Sequence, residues 1–132
     1  MNASVRNGGA LRVLVVEDEA MVSMLLEDFL EDIGCTVVGP AFNLEEASTL
    51  AAAGDFDVAI LDVNLGGERT FSVADRLDRD GKPFAFATGY GAAGLRDEDE
   101  GRPVLQKPFT LDDLKKVVEG LSEDAQAPAM KS

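Results

Sequence analysis

The sequence has no histidine and no tryptophan, and only one cysteine and one tyrosine in 132 residues. Without an imidazole there can be no histidine-based triad, no histidine metal ligand and no phosphohistidine on this chain. The single Cys35 cannot close an internal disulfide, and the opening MNASVRNGGA lacks the apolar stretch of a secretory signal. No hydrophobic run approaches the length of about 20 residues needed to cross a bilayer, so cytoplasmic residence is the expectation. Basic residues are also scarce: 12 Lys and Arg stand against 25 Asp and Glu, a formal charge of −13. That field repels phosphate backbones and anionic lipid, so neither nucleic acid nor a membrane is expected as a direct partner. Chemistry on this chain has to run on carboxylates, hydroxyls or lysine.

What is present fits one globular domain: 45% of residues are hydrophobic, enough for a single core and no separate effector domain. Residues 1–10 and 122–132 read as flexible tails, which leaves a folded part of about 11–121. LRVLVV (11–16) is a short Val-rich run, as expected of a strand covered on both faces. Val22, Leu25, Leu26, Phe29, Leu30 and Ile33 then recur at helical spacing, and Gly34 follows as a C-terminal cap.

The alternation repeats along the chain. TVVGPA (36–41) is a strand, Leu44, Ala47, Leu50 and Ala51 mark a helix ending at Gly54, and DVAILD (57–62) is a buried strand. A weaker helix covers 69–80 around Phe71, Ala74 and Leu77. PFAFAT (83–88) and PVLQ (103–106) are further strands, and Leu111, Leu114, Val117, Val118 and Leu121 define a last helix that Thr110 caps. Strands separated by helical crossovers cannot be hairpin partners, so the expected fold is doubly wound α/β: a five-stranded parallel sheet with helices on both faces. Only GYGAAGLRDEDEG (89–101) resists, because four glycines and clustered charge oppose the fourth helix it should hold. A short or mobile helix is expected there.

Ligands of open parallel sheets bind outside the carboxyl ends of the strands. Glu17 and Asp18 lie just past the first strand, Asp62 closes the third, Thr88 ends the fourth and Lys107 follows the fifth. Taken singly, each has a plain structural reading: Asp18 as a helix cap, Glu17 as a solvated loop acid, Asp62 as a turn residue, Thr88 as a strand residue, Lys107 as an exposed lysine. Together they place three acids, a hydroxyl and a cation on one edge. Carboxylates about 5 Å apart repel by roughly 3 kcal/mol per pair at an effective dielectric near 20, so the group calls for a counter-charge. Hard oxygen ligands of this kind suit Mg²⁺.

VLVVEDE (13–19), ILDVNL (60–65), FATGYG (86–91) and LQKPF (105–109) resemble the receiver domain of bacterial two-component response regulators over about 110 residues. FATGYG followed by PVLQKPF is more narrowly similar to the FAT GUY subgroup of stand-alone receivers, associated with kinases of the HWE type and with stress or light signalling. The resemblance implies a flavodoxin-like strand order, 2-1-3-4-5. It makes Asp62 the acceptor of a phosphoryl group from a histidine kinase or phosphotransfer protein. Glu17, Asp18, Asp62 and the backbone carbonyl of Asn64 would serve Mg²⁺. Thr88 and Lys107 would contact the phosphoryl oxygens, Gly89 would leave room for the donor, and Lys107–Pro108 would correspond to a cis peptide. Output would be a switched protein contact on the fourth helix, fifth strand and last helix, or draining of phosphate from the kinase; a degenerate receiver that binds partners without phosphorylation is the alternative.

Two positions depart from the family pattern. Val104 stands three residues before the lysine, where many receivers carry Tyr or Phe, which leaves Tyr90 as the nearest replacement for the aromatic relay. Glu17 stands where Asp is common, and its longer side chain can reach a metal through water. Rival readings are weaker. A dehalogenase-type phosphatase resembles DxD, but the second acid here is Asn64, which cannot deliver a proton. A nucleotide-binding loop needs glycines after the first strand, where this chain has EDEA.

Overall fold

The structure is a computed structural model and describes residues 5–6, 9–89 and 94–126. Five strands form the main sheet: β1 (Arg12–Val16), β2 (Thr36–Ala41), β3 (Val58–Asp62), β4 (Phe84–Thr88) and β5 (Val104–Gln106). All pair in parallel, in the order β2-β1-β3-β4-β5, as expected of a flavodoxin-like sheet. Among the described residues the α-helices are α1 (Ala20–Asp32), α2 (Leu44–Ala53), α3 (Phe71–Arg79) and α4 (Leu111–Gln126).

Alternate residues of the central strands feed two cores. On one face Val13, Val15, Ile60 and Ala87 pack with Leu26 and Leu30 of α1 and with Leu114 and Val118 of α4. On the other, Leu14, Val16, Leu61 and Phe86 pack with Ala47 and Ala51 of α2 and with Val73 and Leu77 of α3. Every residue of β3 and β4 is buried, which is why these strands read as continuous apolar runs rather than alternating ones. The α1 stripe is narrower than its periodicity suggests: Leu25 is 40% exposed, and Met21 and Met24 are more so.

The helix ends are set by short polar residues. Asn43 accepts the Glu46 N–H and Gly54 closes α2 in the left-handed region. At α4, Thr110 Oγ1 accepts the Asp113 N–H at 3.0 Å while Asp113 accepts the Thr110 N–H at 2.9 Å, a reciprocal capping box. The last helix runs to Gln126 rather than ending near 121, with Ser122 buried, so the segment from 122 is not all tail. SEDAQ continues the helix with Ala125 as its one apolar residue, too little for a periodic apolar face to show. At the other end Val5–Arg6 pairs antiparallel with Gly9–Ala10, within the stretch read as a tail.

The expected fourth helix is not formed among the described residues. Between 94 and 101 the chain is 3₁₀ at Gly94 and at Asp97–Asp99, and residues 90–93 of the segment expected to hold that helix, Tyr90 among them, lie outside the described residues. An arginine–aspartate clasp holds residues 96–102. Asp99 is 1% exposed and accepts Arg96 Nε at 2.8 Å and Arg102 Nε at 3.0 Å. Arg96 also bridges to Asp75 of α3 at 2.9 Å and stacks 4.5 Å over Phe71, while Arg102 reaches Asp78 and stacks over Phe84.

Cys35 is buried beside α1, and burial pushes its thiol up to about 11. At pH 8 only roughly one thiol in a thousand is then ionised. Alkylation by iodoacetamide is expected to be slow in the native protein and to reach the rate of a free thiol in urea; fast native labelling at pH 8 would contradict this placement.

Candidate functional site

The carboxyl edge of β1, β3 and β4 gathers the site. The β1 end is fixed from the neighbouring strand, where the Glu17 N–H donates to the Ala41 carbonyl at 3.0 Å. Glu17 itself is fully buried. Its Oε2 accepts the Glu19 N–H at 3.1 Å, and Lys107 Nζ stands 2.8 Å from Oε1. Oε1 is thus a buried carboxylate oxygen whose counter-charge is the Lys107 ammonium. Burial pushes the Glu17 carboxyl above its ordinary range; the Lys107 contact opposes the rise and the charge of Asp62 adds to it. Burial works against the Lys107 ammonium too, but Glu17 and then Asp62 outweigh it and hold Lys107 above its usual value.

Asp62 closes β3 at 8% exposure. Its Oδ2 lies 3.4 Å from Lys107 Nζ and its Oδ1 accepts the Asn64 N–H at 3.3 Å. Asp18 does not cap α1: the cap position is Glu19, without a side-chain bond, and Asp18 Oδ2 instead accepts the Gly66 N–H at 2.8 Å. Glu17, Asp18 and Asp62 each offer one oxygen, all within 4.8 Å of one another. Thr88 ends β4 and is buried, and its carbonyl accepts the Lys107 N–H at 2.9 Å, so the hydroxyl-bearing and lysine-bearing strand ends are tied together. The Lys107–Pro108 peptide is cis. Asp18, Asp62, Thr88 and Lys107 line a cleft of about 610 Å³ that also takes in Gly89 and Arg69, while Glu17 is buried and not part of its lining.

A feature the sequence reading missed follows Asp62. Asn64–Leu65 and Glu68–Arg69 form a tight antiparallel hairpin, so Arg69 belongs to a strand and α3 begins only at Phe71. Gly66 and Gly67 make the turn at φ +54° and +91°, the combination a two-residue primed turn requires. The Thr70 N–H donates to the Val63 carbonyl at 3.0 Å, so alternation along the ladder makes Asn64–Arg69 a non-hydrogen-bonded pair. The Asn64 N–H and carbonyl therefore face away from Arg69, on the side where the N–H meets Asp62. Buried Thr70 braces the same corner, its hydroxyl donating to the Asp62 carbonyl at 2.7 Å rather than capping α3. The nearest signal in the sequence was the Gly-Gly pair, flanked by strands too short to show a period.

Chemically, three clustered carboxylates face one lysine. The all-oxygen donor set and the spacing of the cluster fit a hard divalent cation that keeps some of its waters. Among the described residues no helix is long and apolar enough to cross a membrane.

A doubly wound α/β domain with an acidic cluster and a lysine on its carboxyl edge defines the class of protein. Residues 13–119 match the model of the Response regulator receiver domain, and the chain belongs to that family, the receivers of two-component signal transduction. It is 44% identical to SdrG of Sphingomonas melonis Fr1, whose solution structure superposes with a TM-score of 0.77 over 84% of this chain and 95% of that one. The receiver domain of Erythrobacter litoralis PhyR is 26% identical, with a TM-score of 0.79 over 92% of this chain and 96% of that one. The transcriptional regulatory protein TcrA of Mycobacterium tuberculosis is 36% identical over 125 residues, 89% of this chain. The chain spans about half the length of the curated relatives it matches first.

Proposed function

We propose that this receiver accepts a phosphoryl group on Asp62 from the phosphohistidine of a histidine kinase or phosphotransfer protein, and that the acyl phosphate switches a contact with another protein. The observation that carries this reading is Asp62 at the mouth of the cleft, with Lys107 3.4 Å from Oδ2 and two further carboxylates within 4.8 Å. An Asp62 oxygen attacks phosphorus, the N–P bond breaks as the O–P bond forms, and the imidazole leaves with its electron pair and takes up a proton. Water later attacks the acyl phosphate, returning the carboxylate and inorganic phosphate. Glu17, Asp18, Asp62 and the Asn64 carbonyl would hold Mg²⁺, which when bound supplies positive charge against the phosphoryl oxygens. Lys107 offsets the remaining charge, and Thr88, tied to Lys107 through its carbonyl, is placed to bond a phosphoryl oxygen and draw its strand end inward.

The FATGYG motif, through its resemblance to the FAT GUY subgroup, supports the finer reading of an HWE-type kinase upstream and a partner in stress or light signalling downstream. Acting as a phosphate sink uses the same chemistry. The test is transfer from a phosphorylated histidine kinase, followed by label and intact mass. The expected result is one phosphoryl group per chain in Mg²⁺ and none after chelation by EDTA. Equal labelling with and without the metal would contradict the assigned ligand set.

A further inference from the structure

Arg69 has no part in that chemistry, yet it lines the same cleft. Arg12, Arg76, Arg96 and Arg102 each sit on a carboxylate, as the surplus of acids would lead one to expect. Arg69 pairs with none among the described residues. It lines the Asp62 cleft from the hairpin that follows the acceptor, directly opposite Asn64 in register. The side chains of a non-hydrogen-bonded pair share one face of the ribbon, so Arg69 and Asn64 leave it on the same side. Among the described residues the guanidinium makes one bond, from Nη1 to the Gly94 carbonyl at 3.2 Å, and lies 5.9 Å from the Phe71 ring. Of its five N–H donors, four are left over.

Occupying Asp62 changes the local balance. A phosphoryl group adds negative charge to a cleft whose Lys107 is already divided between Glu17 at 2.8 Å and Asp62 at 3.4 Å. A guanidinium meets a phosphoryl group as charge on charge, and its planar fork can hold two of the oxygens at once, whereas the Gly94 carbonyl is neutral. We propose that Arg69 is a second cationic contact for a phosphoryl group on Asp62, exchanging the Gly94 carbonyl for phosphoryl oxygens. The exchange couples occupancy of the acceptor to the Gly94 end of the segment clasped onto α3, by a route that does not need an aromatic side chain on β5. It rests on Asp62 being the acceptor.

The test uses beryllofluoride, a stable mimic of the aspartyl phosphate, titrated in saturating Mg²⁺ against wild type, Arg69→Ala and Arg69→Lys, followed by amide NMR. Wild type is expected to saturate with shifts at Gly94 and Leu95. Arg69→Ala should bind beryllofluoride about tenfold more weakly and lose the Gly94 response, while its affinity for Mg²⁺ alone stays within about twofold of wild type. Arg69→Lys should recover most of the affinity, because the charge remains, but not the Gly94 shifts, because the fork is gone. A merely structural latch would alter the free spectrum and leave the beryllofluoride affinity unchanged, and that result in Arg69→Ala overturns the inference alone. No saturable response in wild type overturns the acceptor reading and the inference with it.

Discussion

Asp62→Asn is expected to take up no phosphoryl label from a phosphorylated histidine kinase or a small phosphodonor, a loss of about a thousandfold or more. The amide oxygen is too weak a nucleophile to form the acyl phosphate at a useful rate. The exchange is nearly isosteric, and asparagine keeps an oxygen to accept the Asn64 N–H that Asp62 accepts at 3.3 Å. It also removes one of three negative charges lying within 4.8 Å of one another, a pairwise repulsion of roughly 3 kcal/mol at an effective dielectric near 20. The variant should therefore melt no lower than wild type, so that lost labelling in a folded protein isolates the chemistry. Labelling at the wild-type rate would take the acceptor role away from Asp62.

Asp99→Ala is expected to have the largest effect on stability, lowering the unfolding free energy by about 2–3 kcal/mol. The Asp99 carboxylate is 1% exposed and serves two guanidiniums at 2.8 and 3.0 Å. Removing it strands both beneath a segment that has no α-helix of its own among the described residues. The loss stays at the lower end for a broken buried pair because Arg96 keeps Asp75, Arg102 keeps Asp78, and both side chains are about a quarter exposed. Urea unfolding of wild type, Asp99→Asn and Asp99→Ala measures it, with the asparagine variant intermediate because it can still accept one bond. A change below about 0.5 kcal/mol in Asp99→Ala would mean the clasp does not hold the segment.

The parts of this molecule that were legible in the sequence are those where one physical term dominates. Strands such as 58–62 and 84–88, buried on both faces, leave an unbroken apolar record, and helix α2 is bracketed by Asn43 and Gly54. Glu17, Asp18, Asp62, Thr88 and Lys107 could be placed together because a parallel sheet brings its strand ends to one edge. What stayed hidden depends on contacts between residues far apart or on elements too short to carry a period. Arg96 meets Asp75 across 21 positions, and nothing in GYGAAGLRDEDEG marks the charges that pair. Arg69 reads as the start of a helix until the Gly66–Gly67 turn is seen to fold it back against Asn64. Thr70 falls inside the helix expected over 69–80, yet it precedes α3 and gives its hydroxyl to the Asp62 carbonyl.

The most direct test of the central claim is an amide NMR titration with Mg²⁺ and then beryllofluoride, on wild type and Asp62→Ala. It needs no knowledge of the kinase. The account predicts saturable shifts around Glu17, Asp62, Thr88 and Lys107 in wild type that vanish in the variant. A wild-type spectrum unmoved by both reagents would contradict it, and would make the chain a receiver that binds its partners without phosphorylation.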